Sequence, residues 1–182
     1  MKSLYNEKVS INAILYLLSK MNGMCDIHKM CKMLYYADQY SLANFARSIT
    51  GDTYIAMTYG PVPSNIEDGF KGLRGSHYYI TLDSLRNLSE AISFENKYHI
   101  KALQEPNKDY LSGSDIECLD YAYNKCKDLS FKQLTDMSHD IAWNETERNG
   151  EISVKDIMRE AKCSEDYIDY VYNQEQIQLS LL

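Results

Sequence analysis

The sequence predicts a mostly α-helical α+β domain with a small antiparallel β-sheet. Apolar residues recur at three- and four-residue spacing through much of the chain, which is the period of an amphipathic helix. Serine residues followed three positions later by Glu or Gln precede several of these stretches, as in a capping box. Two short segments rich in β-branched and aromatic residues, 53–59 and 91–103, interrupt the helical pattern.

Two helices are predicted before the first strand. A stripe of apolar residues from Ile11 to Met21 predicts the first helix, which Asn22-Gly23 ends. Asp26 is a predicted N-cap for the second helix, whose apolar face continues to Phe45. Gly51 is expected to end this helical stretch, because glycine readily takes a positive φ.

A predicted strand and a proline corner follow. Residues 53–59 have the composition of a strand, with one face formed by Ile55, Met57 and Tyr59. Pro61 and Pro63 have no amide hydrogen to donate, so a central strand cannot continue through them. Ser64 and Glu67 are spaced as a capping box, which predicts that a helix begins directly after the corner.

The second half of the chain is predicted to form a β-hairpin and then helices. Residues 91–95 and 98–103 are the hairpin strands, while 78–82 have strand composition with little alternation. The predicted helix caps are Ser114, Ser130, Ser153 and Ser164. We expect one domain, residues 1–182, with residues 151–182 forming a C-terminal helical tail packed on the rest.

Composition limits the classes of function. The net charge of −7 disfavours non-specific nucleic-acid binding, because such binding depends on neutralising phosphates with Lys and Arg. No apolar run is long enough to span a bilayer. Five cysteines, an odd number, and no secretory signal near Met1 predict a cytoplasmic protein. Sixteen tyrosines suit either a binding surface or a codon bias, and composition does not separate the two.

Two clusters have residue types used in metal binding or catalysis, but their arrangement favours neither. Cys25, His28 and Cys31 are close in sequence, yet a closed zinc site needs a fourth ligand. Cys31 also lies on the apolar stripe, where a free cysteine packs as a small hydrophobic residue. The Ser-His-Asp sequence at 138–140 has the residue types of a catalytic triad, but triads assemble from separate segments. The sequence therefore predicts no metal, no cofactor and no enzyme.

Asp38 is an unusual residue for its position. It lies inside a predicted helix beside apolar neighbours, where Asp is a poor helix former. Because buried polar groups are hydrogen-bonded, we predict that Asp38 and Trp143 form a structural polar clamp. The carboxylate would hold a backbone amide, a tyrosine hydroxyl or Trp143 itself, whereas the alternative is a charge that recognises a partner. Ser138 is predicted to cap the helix that carries Trp143.

Three sequence motifs occur in a fixed order between residues 32 and 66. They are LYYADQY, then RSITGDTYIAM, then YGPVPSNI, and a weaker match covers Ser-His-Asp at 138–140 and Ala-Trp at 142–143. Together they resemble the signature of the SocA-like Panacea domain family, most of whose members are antitoxins, with relatives encoded by phages and prophages. The resemblance implies an antitoxin that neutralises a cognate protein toxin by direct binding, or that delivers the toxin to a protease.

The proline corner is the predicted partner-binding surface. Its predicted contact residues are Tyr54, Tyr59, Pro61, Val62 and Pro63. The two prolines restrict the backbone, so presenting Val62 to a partner would cost little ordering entropy. The tyrosines would supply the contact area typical of binding hot spots. An equally weighted alternative is that the corner turns a strand into a helix and packs beneath Trp143.

The alternative function is a phage-type regulatory protein that binds DNA or the transcription machinery through its helices. Such a protein would need a basic recognition helix. The predicted last helix, from Glu165 to Gln178, contains acidic residues and no basic residue. A small hydrolase is a third class, for which the sequence offers no defensible site.

Overall fold

The computed structural model describes residues 4–76 and 80–182. The α-helices in these ranges are α1 (Glu7–Lys20), α2 (Ile27–Phe45), α3 (Ser64–Leu73), α4 (Leu82–Ala91), α5 (Gly113–Cys126), α6 (Phe131–Ser138), α7 (Ile141–Asn144), α8 (Val154–Glu160) and α9 (Glu165–Leu181). The strands are β1 (Met24–Asp26), β2 (Tyr54–Met57), β3 (Gly60–Pro63), β4 (Ile92–Phe94) and β5 (His99–Ala102). The strands form two small antiparallel sheets, so the predicted mostly α-helical α+β class is confirmed.

Helix α2 lies at the centre of the fold. It contacts α1, α5, α6, α8, β1 and β3. Every residue from 30 to 39 is buried, including the polar residues Lys32 and Asp38. A helix buried on all sides is a core helix, so the predicted single apolar face was too narrow a description. The helix ends at Phe45, where Ala46 takes a φ of 57°, before the predicted break at Gly51.

The first sheet has the strand order β1-β5-β4. Strands β4 and β5 form the hairpin that the sequence predicted, with Phe94 opposite Ile100. Strand β1 was not predicted, because three residues are too few to show an alternating pattern. Helix α4 was also missed, and the ambiguous segment 78–82 lies partly outside the described residues.

The second sheet is the β2–β3 hairpin. Tyr54 is opposite Pro63 and Ala56 is opposite Pro61. The hydrogen bonds between β2 and β3 do not require an amide hydrogen at either proline. The other edge of β2 pairs with the segment after α7, where the Ile152 amide donates to the Tyr54 carbonyl oxygen at 2.8 Å. Strand β2 is therefore covered on both edges.

Ile55 and Met57 share one face of β2, as predicted, but the strand ends before Tyr59. Tyr54 and Ala56 are buried, whereas Ile55 and Met57 are only half-buried. The buried face packs on α2, where the rings of Tyr35 and Tyr54 lie 5.2 Å apart between centroids. The sequence did not indicate which face is buried, and Tyr54, a predicted contact residue, lies on the buried one.

Most of the predicted helix caps are confirmed, since the side chains of Asp26, Ser130, Ser153 and Ser164 accept amide hydrogen bonds at the starts of α2, α6, α8 and α9. Ser114 was wrong because Ser112 and Asp115 form the capping box of α5 instead. Ser64 was also wrong, since α3 has no side-chain cap from its own N-cap residue. The Asp52 carboxylate accepts from the amides at 65 and 66 in its place.

The last two helices bury apolar side chains against the rest of the described chain. Ile157 and Met158 of α8 and Ile168 and Val171 of α9 are all part of the buried core. Lys155 of α8 also pairs with Asp169 of α9. Among residues 4–76 and 80–182, no helix has both the length and the apolar character needed to cross a bilayer.

Candidate functional site

The carboxylate of Asp38 is 1% exposed and accepts four hydrogen bonds. Its donors are the amides of Ile49 (2.7 Å) and Thr50 (3.2 Å) and the hydroxyls of Thr50 (2.5 Å) and Tyr54 (2.8 Å). Burial raises the pKa of Asp38, and these hydrogen bonds oppose that rise. Asp38 thus joins the middle of α2 to the loop before β2, through an amide and a tyrosine hydroxyl as predicted, and not through Trp143.

The hairpin tip, residues 57–61 between and at the ends of β2 and β3, is held by side chains from other elements. From α7 and the turn after it, Trp143 Nε1 donates to the Met57 carbonyl oxygen (2.9 Å) and Arg148 donates to Thr58 Oγ1 (2.7 Å). From α2, His28 Nε2 lies 3.2 Å from the Tyr59 carbonyl oxygen, and Lys32 Nζ donates to the Pro61 carbonyl oxygen (2.8 Å). These contacts come from α2, from α7 and from the turn after it, so the tip is fixed from two sides.

The hairpin tip presents an aromatic face to solvent. We use this name for Tyr59, Phe131 and the ring of His28. Tyr59 is 57% exposed and Phe131 is 51% exposed. The Tyr59 and Phe131 rings meet edge to face with centroids 5.3 Å apart, and the His28 ring stacks on Phe131 at 4.1 Å. Two large exposed aromatic side chains are therefore held in fixed positions by their neighbours.

The structure corrects most of the predicted contact residues at the corner. Tyr54 is 3% exposed and its hydroxyl is bonded to Asp38, so it is not available to a partner. Pro61 and Pro63 are also buried, because β3 packs on α2. Val62 is half-buried, and Tyr59 is the one predicted contact residue with a largely exposed side chain.

Trp143 braces the hairpin tip from α7. Its ring stacks on His139 with centroids 3.7 Å apart, in addition to the hydrogen bond to Met57. The N-cap of α7 is Asp140, whose carboxylate accepts from the Trp143 amide, and not Ser138 as predicted. Both alternatives for the corner are thus partly present, since the hairpin tip packs against Trp143 while Tyr59 faces solvent.

Phe131 was missed by the sequence analysis. It is the first residue of α6, directly after the Ser130 cap. An apolar residue at this position is a weak signal, because its exposure depends on the position of the β2–β3 hairpin. The partner ring of Tyr59 therefore could not be identified from spacing.

Residues 138–140 do not assemble as a triad. Ser138 is fully buried and its hydroxyl donates to the Thr135 carbonyl oxygen at 3.2 Å. Asp140 accepts a hydrogen bond from the Tyr35 hydroxyl at 2.9 Å. In the described part of the chain no group of three or more His, Cys, Asp or Glu side chains is placed to hold a metal ion. Burial raises the pKa of Cys25 to about 12, which keeps this thiol protonated.

Lys32 is a fully buried lysine at the base of the hairpin tip. Burial lowers its pKa to about 8, and the nearby charge of Asp140 only partly opposes this shift. Its ammonium group lies between the Pro61 carbonyl oxygen and Gly60, on the side of the hairpin that faces α2. Lys32 thus fixes β3 at the cost of a desolvated charge.

We expect Lys32→Met to change the pH dependence of stability. The unfolded lysine titrates near 10.5 and the folded one near 8, so the unfolded state binds more protons between these values. The buried charge therefore destabilises the protein most below the folded pKa, and this penalty declines as the pH rises. Relative to the natural chain, the free energy of unfolding of Lys32→Met should fall by about 2 kcal/mol between about pH 7.5 and 9.5.

Urea unfolding of the variant and of the natural chain at the two pH values measures this difference. The titration of tyrosines and cysteines is common to both proteins and cancels when their free energies of unfolding are subtracted. Lys132→Met is the control, since Lys132 is 82% exposed in its side chain. Its effect on the free energy of unfolding should not change with pH. Equal pH dependence in Lys32→Met and Lys132→Met would show that the Lys32 ammonium is not desolvated.

The fold and this site define a helical domain that holds a rigid hairpin with exposed aromatic side chains. A family model described as "Antitoxin SocA-like, Panacea domain" matches residues 30–144, more than half of the chain. The chain therefore belongs to the SocA-like Panacea domain family, as the sequence motifs predicted. The matched range includes α2 from residue 30 onward, the hairpin tip, Phe131 and Trp143, and it ends before α8 and α9. No curated protein and no solved structure matches the chain.

Proposed function

We propose that this protein is an antitoxin that neutralises a cognate protein toxin by binding it directly through the aromatic face. The family membership supports the antitoxin role. The observation that carries the proposed surface is a pair of exposed rings in contact. Tyr59 lies on the hairpin tip, which hydrogen bonds from other elements fix, and Phe131 begins the neighbouring helix α6. Tyr59 belongs to the YGPVP motif of the family signature.

Physical reasons favour this face as a hot spot. Aromatic side chains dominate the energetics of protein interfaces when they can be desolvated in a central patch. Because the hairpin tip is already ordered, little backbone entropy would be lost on binding. Tyr59 and Phe131 already restrict each other, which also lowers the cost of ordering their side chains.

Neutralisation by binding needs no catalytic group and no cofactor. The toxin's active surface would be occluded, or the complex would present the toxin to a cytoplasmic protease. The second candidate, a regulatory protein bound to nucleic acid, has less support, because the net charge is −7 and α9 carries no basic residue. A toxin with a basic surface would suit that negative charge.

We expect Tyr59→Ala to abolish rescue of growth when the protein is co-expressed with the toxin encoded by the neighbouring gene. The substitution removes an exposed hot-spot ring and should weaken toxin binding about 100-fold. Folding should be little affected, since the Tyr59 side chain is 57% exposed. Growth rescue measures neutralisation, and urea unfolding measures stability in the same variant.

Tyr170→Ala is the matched control. Tyr170 is 55% exposed on α9, beyond the family-matched range. It should keep full rescue, whereas Phe131→Ala should behave like Tyr59→Ala. If Tyr59→Ala and Phe131→Ala both fold and both rescue growth, then the aromatic face is not the toxin-binding surface. If no neighbouring gene product is toxic, then the antitoxin role itself is wrong.

A further inference from the structure

A groove of about 720 Å³ lies between α2, α5 and the turn that joins α8 to α9. We call it the tyrosine groove, and its main lining residues are Tyr36, Tyr40, Tyr121, Tyr167, Asp140 and Glu160. One wall comes from the family-matched part of the chain and the other from residues beyond it. The groove therefore exists only because the last two helices pack on the rest.

The tyrosine rings of the groove already hold one cation. Lys125 Nζ lies 4.2 Å from the centroid of the Tyr36 ring and 5.5 Å from that of Tyr121. Tyr121 also stacks on Tyr40 at 4.2 Å. Because Tyr36 is only 3% exposed, the aromatic wall open to a ligand consists of Tyr40 and Tyr121. Cations over tyrosine faces are attracted by the ring quadrupole, and the wall is suited to a further cationic side chain.

Two carboxylates, Asp140 and Glu160, line the groove. Both oxygens of Asp140 already accept hydrogen bonds, from the Tyr35 hydroxyl and the Trp143 amide, and Lys32 lies close enough for its charge to act on Asp140. Neither Asp140 nor Glu160 forms an ion pair with any residue that the structure describes, although Lys125 and Lys162 also line the groove. Glu160 Oε2 accepts from the Ile141 amide at 3.0 Å, while Oε1 accepts no hydrogen bond from the described residues. Burial raises the pKa of Asp140, and the nearby charge of Glu160 adds to that rise.

We propose that the tyrosine groove binds an arginine side chain in a peptide segment of the partner protein. The guanidinium would stack on the tyrosine wall and donate hydrogen bonds to the free oxygen of Glu160. Arginine fits better than lysine, because its planar group stacks on rings and is more weakly hydrated. The net charge of −7 favours approach of a basic segment.

Helix α6 links the aromatic face to the groove, because it contributes a residue to each. Phe131 begins this helix on the aromatic face, and Met137 near its end lines the groove. Six residues of helix separate them by about 9 Å. One partner could therefore cover both surfaces. The identity of the biological partner rests on the proposed function, whereas the binding test below does not require it.

The groove is tested with N-acetyl-arginine-amide as the probe, by NMR titration of the full chain. We expect saturable amide shifts at the groove, in α5 and residues 160–167. N-acetyl-citrulline-amide has nearly the same shape without the charge and should bind at least 10-fold more weakly. Equal binding of the two probes, or arginine shifts located elsewhere, would overturn the inference.

Glu160→Gln keeps an acceptor oxygen for the Ile141 amide and removes the charge, so we expect at least fivefold weaker arginine binding. Glu90→Gln on α4, which lines no part of the groove, should leave the affinity unchanged. Unchanged affinity in Glu160→Gln would contradict the proposed contact.

The growth assay separates the two proposals. Full rescue by Glu160→Gln with lost rescue by Tyr59→Ala would refute the groove alone, and the reverse would refute the aromatic face alone.

Discussion

We expect Asp38→Ala to lower the free energy of unfolding by about 3 to 5 kcal/mol. The substitution leaves two backbone amides and two hydroxyls without their acceptor, and all four are in or next to the buried core. Removing one partner from a buried polar network costs the desolvation of every group left unpaired. Urea unfolding monitored by far-UV circular dichroism measures the change.

Asp136→Ala on α6 is the control, because Asp136 is exposed and its ion-pair partner in the described part of the chain is the exposed Lys132. It should change stability by less than about 0.5 kcal/mol. Asp38→Asn should fall between the two, since it keeps one acceptor oxygen but places an amide donor against other donors. A loss below about 1 kcal/mol for Asp38→Ala, with toxin binding abolished, would instead assign Asp38 to recognition.

The sequence indicated that Asp38 needed donors, but not which donors. A carboxylate inside a helix with apolar neighbours must be hydrogen-bonded, and that requirement follows from residue types alone. Ile49, Thr50 and Tyr54 become its donors only because the loop after α2 folds back along the helix. That path depends on Ala46 and Gly51, which both take positive φ, and on tertiary packing that local sequence does not encode.

Local signals also failed where a tertiary contact replaced a local one. The spacing of Ser64 and Glu67 predicted a capping box, yet Asp52 caps α3 from a different loop. A side chain brought close by the fold satisfies the same amides equally well. By contrast, Ser130 and Gln133 form the predicted box at the start of α6.

The candidate site was predictable in its location but not in its members. The motif YGPVP pointed to the hairpin tip, and Tyr59 is exposed there. The even spacing of a strand could not decide whether Tyr54 or Ile55 faced inward, because both faces of β2 contain apolar residues. Phe131 and the tyrosine groove combine residues far apart in sequence, so only the folded chain brings them together.

We expect Gly60→Ala to destabilise the protein by about 2 to 5 kcal/mol and to abolish toxin neutralisation. Gly60 has a φ of +97°, which an L-residue adopts only with strain. A Cβ atom here would overlap Ser138 Oγ and would lie 2.6 Å from Lys32 Nζ. Both groups are fully buried, so the hairpin tip must move away from α2 and take Tyr59 with it.

Gly75→Ala separates backbone strain from this steric conflict. Gly75 has a φ of +95°, but a Cβ there would meet no described atom within 4 Å. It should show the strain alone, about 1 to 2 kcal/mol, with full growth rescue. Adding Ser138→Ala to Gly60→Ala removes the overlapping hydroxyl and should recover at least about 1 kcal/mol in a double-mutant cycle. The contrary result is an equal loss of stability in Gly60→Ala and Gly75→Ala, with no coupling in the cycle. Gly60 would then be needed only for its backbone conformation. The close packing of the hairpin tip on Lys32 and Ser138 would not position Tyr59.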